Sequence, residues 1–253
     1  MSRVWGVIPA RWASSRFPGK MLHPVCGRPL LAWVVEQARK ARRLEGVLVA
    51  TDDSRIMEAA ATWGVEVVMT EPALPSGTDR VAAAVRGRPV DAVVNVQGDE
   101  PLIDPDLIDA LADAVIGVGN WDMATAAAPI REEAERLSPS VVKVVCDATD
   151  RALYFSRATI PHVRDPEDAS AVEHWRHIGV YAYRADFLER LVREPVCALE
   201  KAEKLEQLRA LHLGARIRVL QTDSVGVGVD TPEDVPRAEA LLRRAGRGEI
   251  HAH

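Results

Sequence analysis

Arg11, Arg16 and Lys20 place three cations within ten residues of the segment Pro9-Ala10-Arg11-Trp12-Ala13-Ser14-Ser15-Arg16-Phe17-Pro18-Gly19-Lys20. Arginine presents a forked set of donors and lysine a compact charge, so this pattern suits a polyphosphate, with Lys20 near the group that departs. Gly19, Ser14 and Ser15 are small enough to let phosphate oxygens come close. The plain alternative is a solvated basic loop. The segment is not a Walker P-loop, for it lacks the four-residue gap between glycines and the Gly-Lys-Ser/Thr ending. Nor does it contain the GxGxxG of nicotinamide-binding folds.

Two acidic segments are the natural counterpart of those cations. Asn95-Val96-Gln97-Gly98-Asp99-Glu100-Pro101 brings an amide and two carboxylates to the end of an apolar run. Asp99 there can hold magnesium, which takes one or two carboxylates along with phosphate oxygens and waters. Gly228-Val229-Asp230-Thr231-Pro232-Glu233-Asp234 carries another carboxylate. Its residue types also describe a capped helix start, and taken alone Asp230 reads as the cap. Ser76-Gly77-Thr78-Asp79-Arg80 fits either a helix start or a turn against a nucleoside. Lys143 lies inside an apolar strand, where a cation needs a partner; a substrate anion would serve.

The elements that must position these groups follow from the apolar pattern. A buried strand spans Val4 to Ile8, and Pro29 opens a helix with an apolar stripe through Leu30, Leu31, Val34, Val35, Ala38 and Ala41. The alternation continues with strands Val47 to Ala50, Val65 to Met69 and Ala92 to Val96, and helices Ser54 to Trp63, Thr78 to Val85 and Pro105 to Val115. Such alternation predicts a mainly parallel sheet with helices on both faces, which binds ligands beyond the carboxyl ends of its strands. After Asp122 the rhythm becomes α+β. Strands are expected over Met123 to Ala128, Val141 to Cys146, Ile178 to Tyr183 and Ile217 to Leu220, with a polar loop from Asp165 to Ser170. A charged amphipathic helix is expected over Glu200 to Leu211, a last helix over Pro232 to Arg244, and a frayed tail over Gly246 to His253. The reading is one domain over residues 1–253, with a second lobe at about 125–216.

Composition narrows the class. With 253 residues, 47% hydrophobic and 27% charged, the chain can bury a sizeable core. A net charge of -5 gives no global positive field for nucleic acid. Cys26, Cys146 and Cys197 are odd in number and lack CxxC spacing, as reduced thiols of a cytoplasmic protein do. No run suits a signal peptide or a membrane span, so the expectation is a soluble, cytoplasmic protein without membrane insertion.

The segments PARWASSRFPGKML, SGTDR, NVQGDEP, VKVVCD, ALYFSRATIP, HIGVYAYR, LEQLR and GVDTPED, in this order, resemble the 3-deoxy-manno-octulosonate (Kdo) cytidylyltransferases from Val4 to Leu242. The resemblance implies a Rossmann-like α/β nucleotide-diphospho-sugar transferase fold, with a mainly parallel central sheet and an α+β sugar-binding and dimerisation lobe. It also implies a bacterial cytoplasmic homodimer that uses CTP and magnesium to form CMP-Kdo for lipopolysaccharide, releasing pyrophosphate. Carried over position by position, Arg11, Arg16 and Lys20 look like the triphosphate loop, and Pro9, Ala10, Ser76, Gly77 and Arg80 like the nucleoside side. Asp99 and Asp230 look like paired magnesium ligands, which reverses the preference for a cap at Asp230. Gln97, Arg157, His177, Tyr181, Glu206 and Gln207 look like the groups around the acid sugar, and Lys143 joins them on the reading of its buried charge. His177 is better read as a sugar contact than as a general base, and Tyr154 and Phe155 as core. Trp12, Ala182, Val227 and His162 depart from the family's commoner residues. The alternatives are another acid sugar, of 8-amino-Kdo or sialic-acid type, or a nucleotide-sugar sensor without turnover.

Overall fold

Val4, Val7, Ile8 and Ala10 have no exposed surface, and the segment that carries them, β1 (Val4–Ala10), is a strand covered on both faces. The computed structural model describes residues 2–14, 16–223 and 226–246, so Ser15 and the expected frayed tail beyond Gly246 lie outside the described residues. Contacts divide the chain into two compact units, Met1–Ala112 with Gly226–His253, and Asp113–Val225. The expected lobe of about 125–216 falls inside the second.

In the first unit, β1 leads through the short hairpin β2 (Pro24–Val25) and β3 (Arg28–Pro29) to helix α1 (Leu30–Ala38). Then follow β4 (Gly46–Thr51), α2 (Ser54–Thr62), β5 (Glu66–Met69), α3 (Gly77–Val85), β6 (Ala92–Asn95) and α4 (Pro105–Ile116), the last of which runs past the division at Ala112. Strand order is β6-β1-β4-β5 and every pair is parallel, as the alternating pattern predicts. The chain steps from β1 to β4 on one side and returns to place β6 on the other. Beyond the carboxyl ends of β1 and β6 the connections therefore diverge, and that crevice is where open parallel sheets bind ligands. Local chemistry starts the helices: Asp53 accepts from the Arg55 N–H at 2.9 Å to cap α2, and Ser76 accepts from the Asp79 N–H at 3.2 Å to cap α3.

The second unit contains β7 (Met123–Pro129), α5 (Glu133–Leu137), β8 (Lys143–Cys146), β9 (Ala152–Ser156), β10 (Trp175–Arg184), α6 (Ala185–Arg193), α7 (Ala198–Glu203), α8 (Gln207–His212) and β11 (Ile217–Gln221). Strand β7 pairs in parallel with β11 and antiparallel with β10, and the antiparallel run continues through β8 to β9. The last helix, α9 (Val235–Arg244), returns to the first unit. Among the described residues no helix is long and apolar enough to cross a membrane.

Several expectations need correcting. The single helix expected over Glu200 to Leu211 is two helices, because Lys204 adopts the left-handed conformation at φ 54° and stops α7. The break lets Glu203 bond β9, accepting from Ser156 Oγ at 2.6 Å and the Arg157 N–H at 2.9 Å, while Gln207 turns towards Tyr181. The polar loop at Asp165 to Ser170 contains a 3-10 helix, Pro166–Ala171. Pro232–Asp234 is a separate 3-10 turn before α9. Strands β8 and β10 differ from the expected Val141 to Cys146 and Ile178 to Tyr183, and β9, α5 and α6 were not foreseen.

Candidate functional site

In the first unit, the loop after β1 and the loop after β6 meet the segment before α9. Phe17, Val25, Cys26, Leu30, Trp33, Val229, Ala238 and Leu242 form one buried cluster. Burying a large apolar side chain contributes roughly 1.5 to 3 kcal/mol, so this cluster anchors the basic loop at Phe17 and the acidic segment at Val229 together. Gly19, at φ 72°, makes the turn into Lys20, and an added Cβ there would press on the Trp12 ring at 3.0 Å. Gly98 lets the second loop close on the first: a Cβ would stand 3.1 Å from both the Pro9 carbonyl oxygen and Met21 Sδ.

The outcome is an ion cluster around Lys20. Its Nζ donates to Asp99 Oδ2 at 2.6 Å, to Asp230 Oδ1 at 3.3 Å and to the Val229 carbonyl at 3.2 Å. Arg16 Nη2 approaches Asp230 Oδ1 at 3.1 Å from the exposed side. The Lys20 side chain is 8% exposed and that of Asp230 50%. A solvated basic loop is therefore ruled out for Lys20. The cap reading of Asp230 is overturned: Thr231 is the N-cap, in a capping box with Asp234, whose Oδ2 accepts from the Thr231 N–H at 2.8 Å and from the Asp230 N–H at 2.9 Å. The Asp230 carboxylate points instead at Lys20 and Arg16.

Around this cluster, Pro9 and Ala10 end β1, and Gly77 lies against Pro9, with an added Cβ 3.7 Å from its ring. Ser76 Oγ donates to Asp79 Oδ2 at 2.6 Å. Arg11 Nη2 donates to the Leu74 carbonyl at 3.1 Å. Arg80 has no exposed surface; its Nη2 pairs with Asp52 Oδ2 at 2.6 Å and its Nη1 donates to Thr70 Oγ1. Burial holds the Arg80 pKa below the usual arginine value despite Asp52. This ion pair fastens α3 to the ends of β4 and β5. Asp52 was missed by sequence reasoning, although a polar residue directly after an apolar strand was the available signal. Gln97 follows β6 and its carbonyl accepts from the Glu100 N–H at 3.3 Å.

In the second unit, His177 and Tyr181 lie four residues apart, which would separate them by about 13 Å along a straight strand. Their ring centroids are 5.4 Å apart. The cause is a bulge: Ile178 faces Ala126, yet Tyr181 already faces Thr125, so Gly179 and Val180 are extra residues on β10. Tyr181 Oη donates to Gln207 Oε1 at 3.4 Å. Phe155 packs edge-on against the His177 ring at 5.0 Å. Burial pushes the His177 pKa down to about 3, so the ring is neutral at physiological pH and a poor proton shuttle. Glu206 Oε2 and Gln207 Nε2 are buried without a hydrogen-bond partner among the described residues. Native interiors rarely leave such atoms unpaired, and a polar ligand is one explanation. Arg157 Nε donates to the Glu203 carbonyl at 2.7 Å and its Nη1 to the Pro139 carbonyl at 3.0 Å.

Lys143 departs from its expected role. It is fully buried, and its Nζ donates to the carbonyls of Ser138 at 2.9 Å, Val141 at 2.6 Å and Arg157 at 2.7 Å. All three ammonium protons are thus used on backbone, and the anticipated substrate anion is replaced by the chain itself. Of the two aromatic residues assigned to the core, Phe155 is fully buried and Tyr154 is partly exposed.

Three comparisons bear on these clusters. A family model described as cytidylyltransferase matches residues 5–217. A 3-deoxy-manno-octulosonate cytidylyltransferase of Bdellovibrio bacteriovorus is 49% identical over 246 residues, covering 96% of this chain and 99% of its own. One of an Anaeromyxobacter species is 50% identical over 250 residues, covering 98% and 100%. Among solved structures, CMP:2-keto-3-deoxy-manno-octonic acid synthetase complexed with CTP superposes with a TM-score of 0.91 at 38% identity, covering 96% of this chain and 100% of that one. A 4-diphosphocytidyl-2C-methyl-D-erythritol synthase of Anaerococcus prevotii, at 12% identity and a TM-score of 0.64 over 96% of this chain and 99% of its own, shares the fold alone.

Proposed function

The chain belongs to the cytidylyltransferase family, and on that premise we propose that it transfers CMP from CTP to the anomeric hydroxyl of Kdo, releasing pyrophosphate and forming CMP-Kdo. The observation that carries this reading is the convergence of Asp99 and Asp230 on one buried ammonium, Lys20, at the crevice beside β1 and β6. A sensor that only bound nucleotide would have no need of a lysine buried between two carboxylates.

In the reaction the anomeric oxygen attacks the α-phosphorus, the bond to the β-phosphate oxygen breaks, and the hydroxyl proton passes to solvent. Little covalent work falls to the protein, whose tasks are to position the reactants and stabilise charge. Arg11 and Arg16 offer planar donors to the triphosphate, and Lys20 offers a compact charge to the transferring phosphoryl group. Asp99 and Asp230 fit magnesium, because they bring two hard anionic oxygens to a point already occupied by a cationic group, and magnesium favours one or two carboxylates with phosphate oxygens. Among the described residues no group of three or more His, Cys, Asp or Glu forms a closed metal cage. Bound there, the ion would neutralise phosphate charge and acidify the attacking hydroxyl. Gln97, Arg157, His177, Tyr181, Glu206 and Gln207 are assigned to the sugar. Homodimeric assembly and a cytoplasmic location belong to the same reading.

The test is pyrophosphate release from CTP with magnesium, comparing Kdo, 8-amino-Kdo and N-acetylneuraminate, with UTP as control. Release with Kdo and CTP is expected. Turnover confined to another acid sugar moves the assignment to that sugar, and nucleotide binding without any turnover supports the sensor. Sedimentation of the purified protein tests the dimer.

A further inference from the structure

Thr125 is the single hydroxyl in the otherwise apolar strand β7, and it has no exposed surface. Its Oγ1 lies at the bulge of β10, 3.1 Å from the Ile178 carbonyl, 2.8 Å from the Val180 carbonyl and 2.9 Å from His177 Nε2. A hydroxyl has one proton, and carbonyl oxygens only accept. If that proton went to Nε2, the Thr125 lone pairs would face two carbonyl oxygens with nothing between them. With the proton on a carbonyl, a lone pair faces Nε2, which must itself carry hydrogen.

We infer that Thr125 fixes His177 as the Nε2–H tautomer and so turns its Nδ1 into a hydrogen-bond acceptor for a hydroxyl of the acid sugar. Thr125 is then a positioning residue acting through His177. With Nε2 engaged by Thr125 Oγ1, the ring is held by Phe155 on one side and Tyr181 on another. The same hydroxyl lies between the carbonyls at the two ends of the bulge and gives its one proton to one of them, next to where His177 meets Tyr181. The depressed pKa of the ring agrees with a permanently neutral acceptor. An acceptor at this point complements the partnerless donor at Gln207 Nε2, and a polyhydroxylated substrate supplies both kinds of group. The tautomer rests on geometry alone; its use on the sugar rests on the function proposed above.

The experiment is nitrogen-proton correlation spectroscopy of the protein labelled with 15N-histidine, the His177 signals being assigned by their loss in His177→Asn. The expected spectrum has a pyrrole-type Nε2 and a pyridine-type Nδ1. Thr125→Val keeps the shape and removes the acceptor, so the signals should shift towards a tautomer mixture. KM for Kdo should rise roughly tenfold, the cost of one hydrogen bond, with a smaller change in kcat and in KM for CTP. Thr125→Ser should restore both. A pyridine-type Nε2 in the unaltered protein overturns the proposal, and this spectrum decides even if Thr125→Val fails to fold. An unchanged spectrum in folded Thr125→Val also overturns it. A shifted tautomer with unchanged KM for Kdo refutes the role towards the sugar. Absence of turnover with Kdo would sink the proposed function while leaving the spectrum to test the tautomer.

Discussion

Among the described residues each unit buries one lysine, and the two are satisfied in opposite ways. Lys20 is surrounded by two carboxylates and one carbonyl, at the end of a parallel sheet and with Arg16 at the rim. Lys143 is surrounded by three carbonyls of its own neighbourhood, and burial holds its pKa below the usual lysine value. Charges that compensate one another through side chains can exchange partners when a polyanion and a divalent cation arrive. A charge absorbed by backbone cannot do so without dismantling the loop that supplies the carbonyls. Other polar groups of the second unit show the same contrast: His177 is neutral, and Glu206 Oε2 and Gln207 Nε2 keep bonding capacity by lacking partners, not by carrying exchangeable charge. Burial by itself therefore does not distinguish a functional cation from a structural one; the chemistry of its partners does.

The largest effect is expected at the exchangeable cluster. Asp99→Asn and Asp230→Asn should each lower turnover by about 1,000-fold or more, since the amide is a neutral, weaker ligand for a hard cation. The melting temperature of Asp230→Asn should hardly move, because Thr231 and Asp234 make the capping box before α9, whereas Asp99→Asn should lower it by taking the nearest charge from the buried Lys20. The double variant should lose little further if the two residues act as a unit. Lys20→Ala should cost about 100- to 1,000-fold in kcat with a smaller change in CTP affinity. Steady-state pyrophosphate release across a magnesium titration, beside melting curves, reads all of these. Near-normal rates in any single variant would remove that residue from the transfer machinery.

Lys143→Met should show the opposite signature. Three carbonyls lose a charged donor, and a loss of roughly 3 kcal/mol in stability is expected from the urea midpoint, while CTP affinity stays level. A stable Lys143→Met protein with lost Kdo binding would restore the substrate-anion role.

The pH response sharpens the comparison further. His177 is depressed to about 3 in the folded chain, against about 6.5 when unfolded, so protonation favours the unfolded state. Stability from keeping the ring neutral is complete above pH 6.5 and declines as the pH falls towards 3. Between pH 6.5 and 5 this amounts to no more than about 2 kcal/mol. Melting curves at pH 7 and pH 5 should show a smaller drop in His177→Asn than in the unaltered protein; equal drops would mean that the ring titrates normally. The smallest effect is expected from Asp234→Ala, a loss of about 1 kcal/mol from the broken capping box, with turnover kept.

Much of this was legible in the residues themselves. Parallel strands such as Ala92-Val93-Val94 are apolar throughout because both faces are covered, and local caps such as Ser76 act within one turn; both leave their mark in consecutive positions. The strand-loop order by itself puts Arg11 to Lys20 and Asp99 at the carboxyl ends of strands. Asp230 was ambiguous for a physical reason. The same carboxylate can cap its own turn or meet a charge, and what excludes the cap is a neighbour, Lys20, 210 residues away. Lys143 announces in the sequence only a buried cation, while the three carbonyls that accept from it are placed by the turns around it. The bulge at Gly179 and Val180 was likewise hidden, since two extra residues leave the alternation of β10 in phase and disturb only its pairing with β7. Local composition thus determined the sheet, its order of elements and the residues able to do chemistry. Tertiary structure alone decided which charge meets which, because an ion pair or a tautomer is set by the atoms within about 3 Å, and those come from distant parts of the chain.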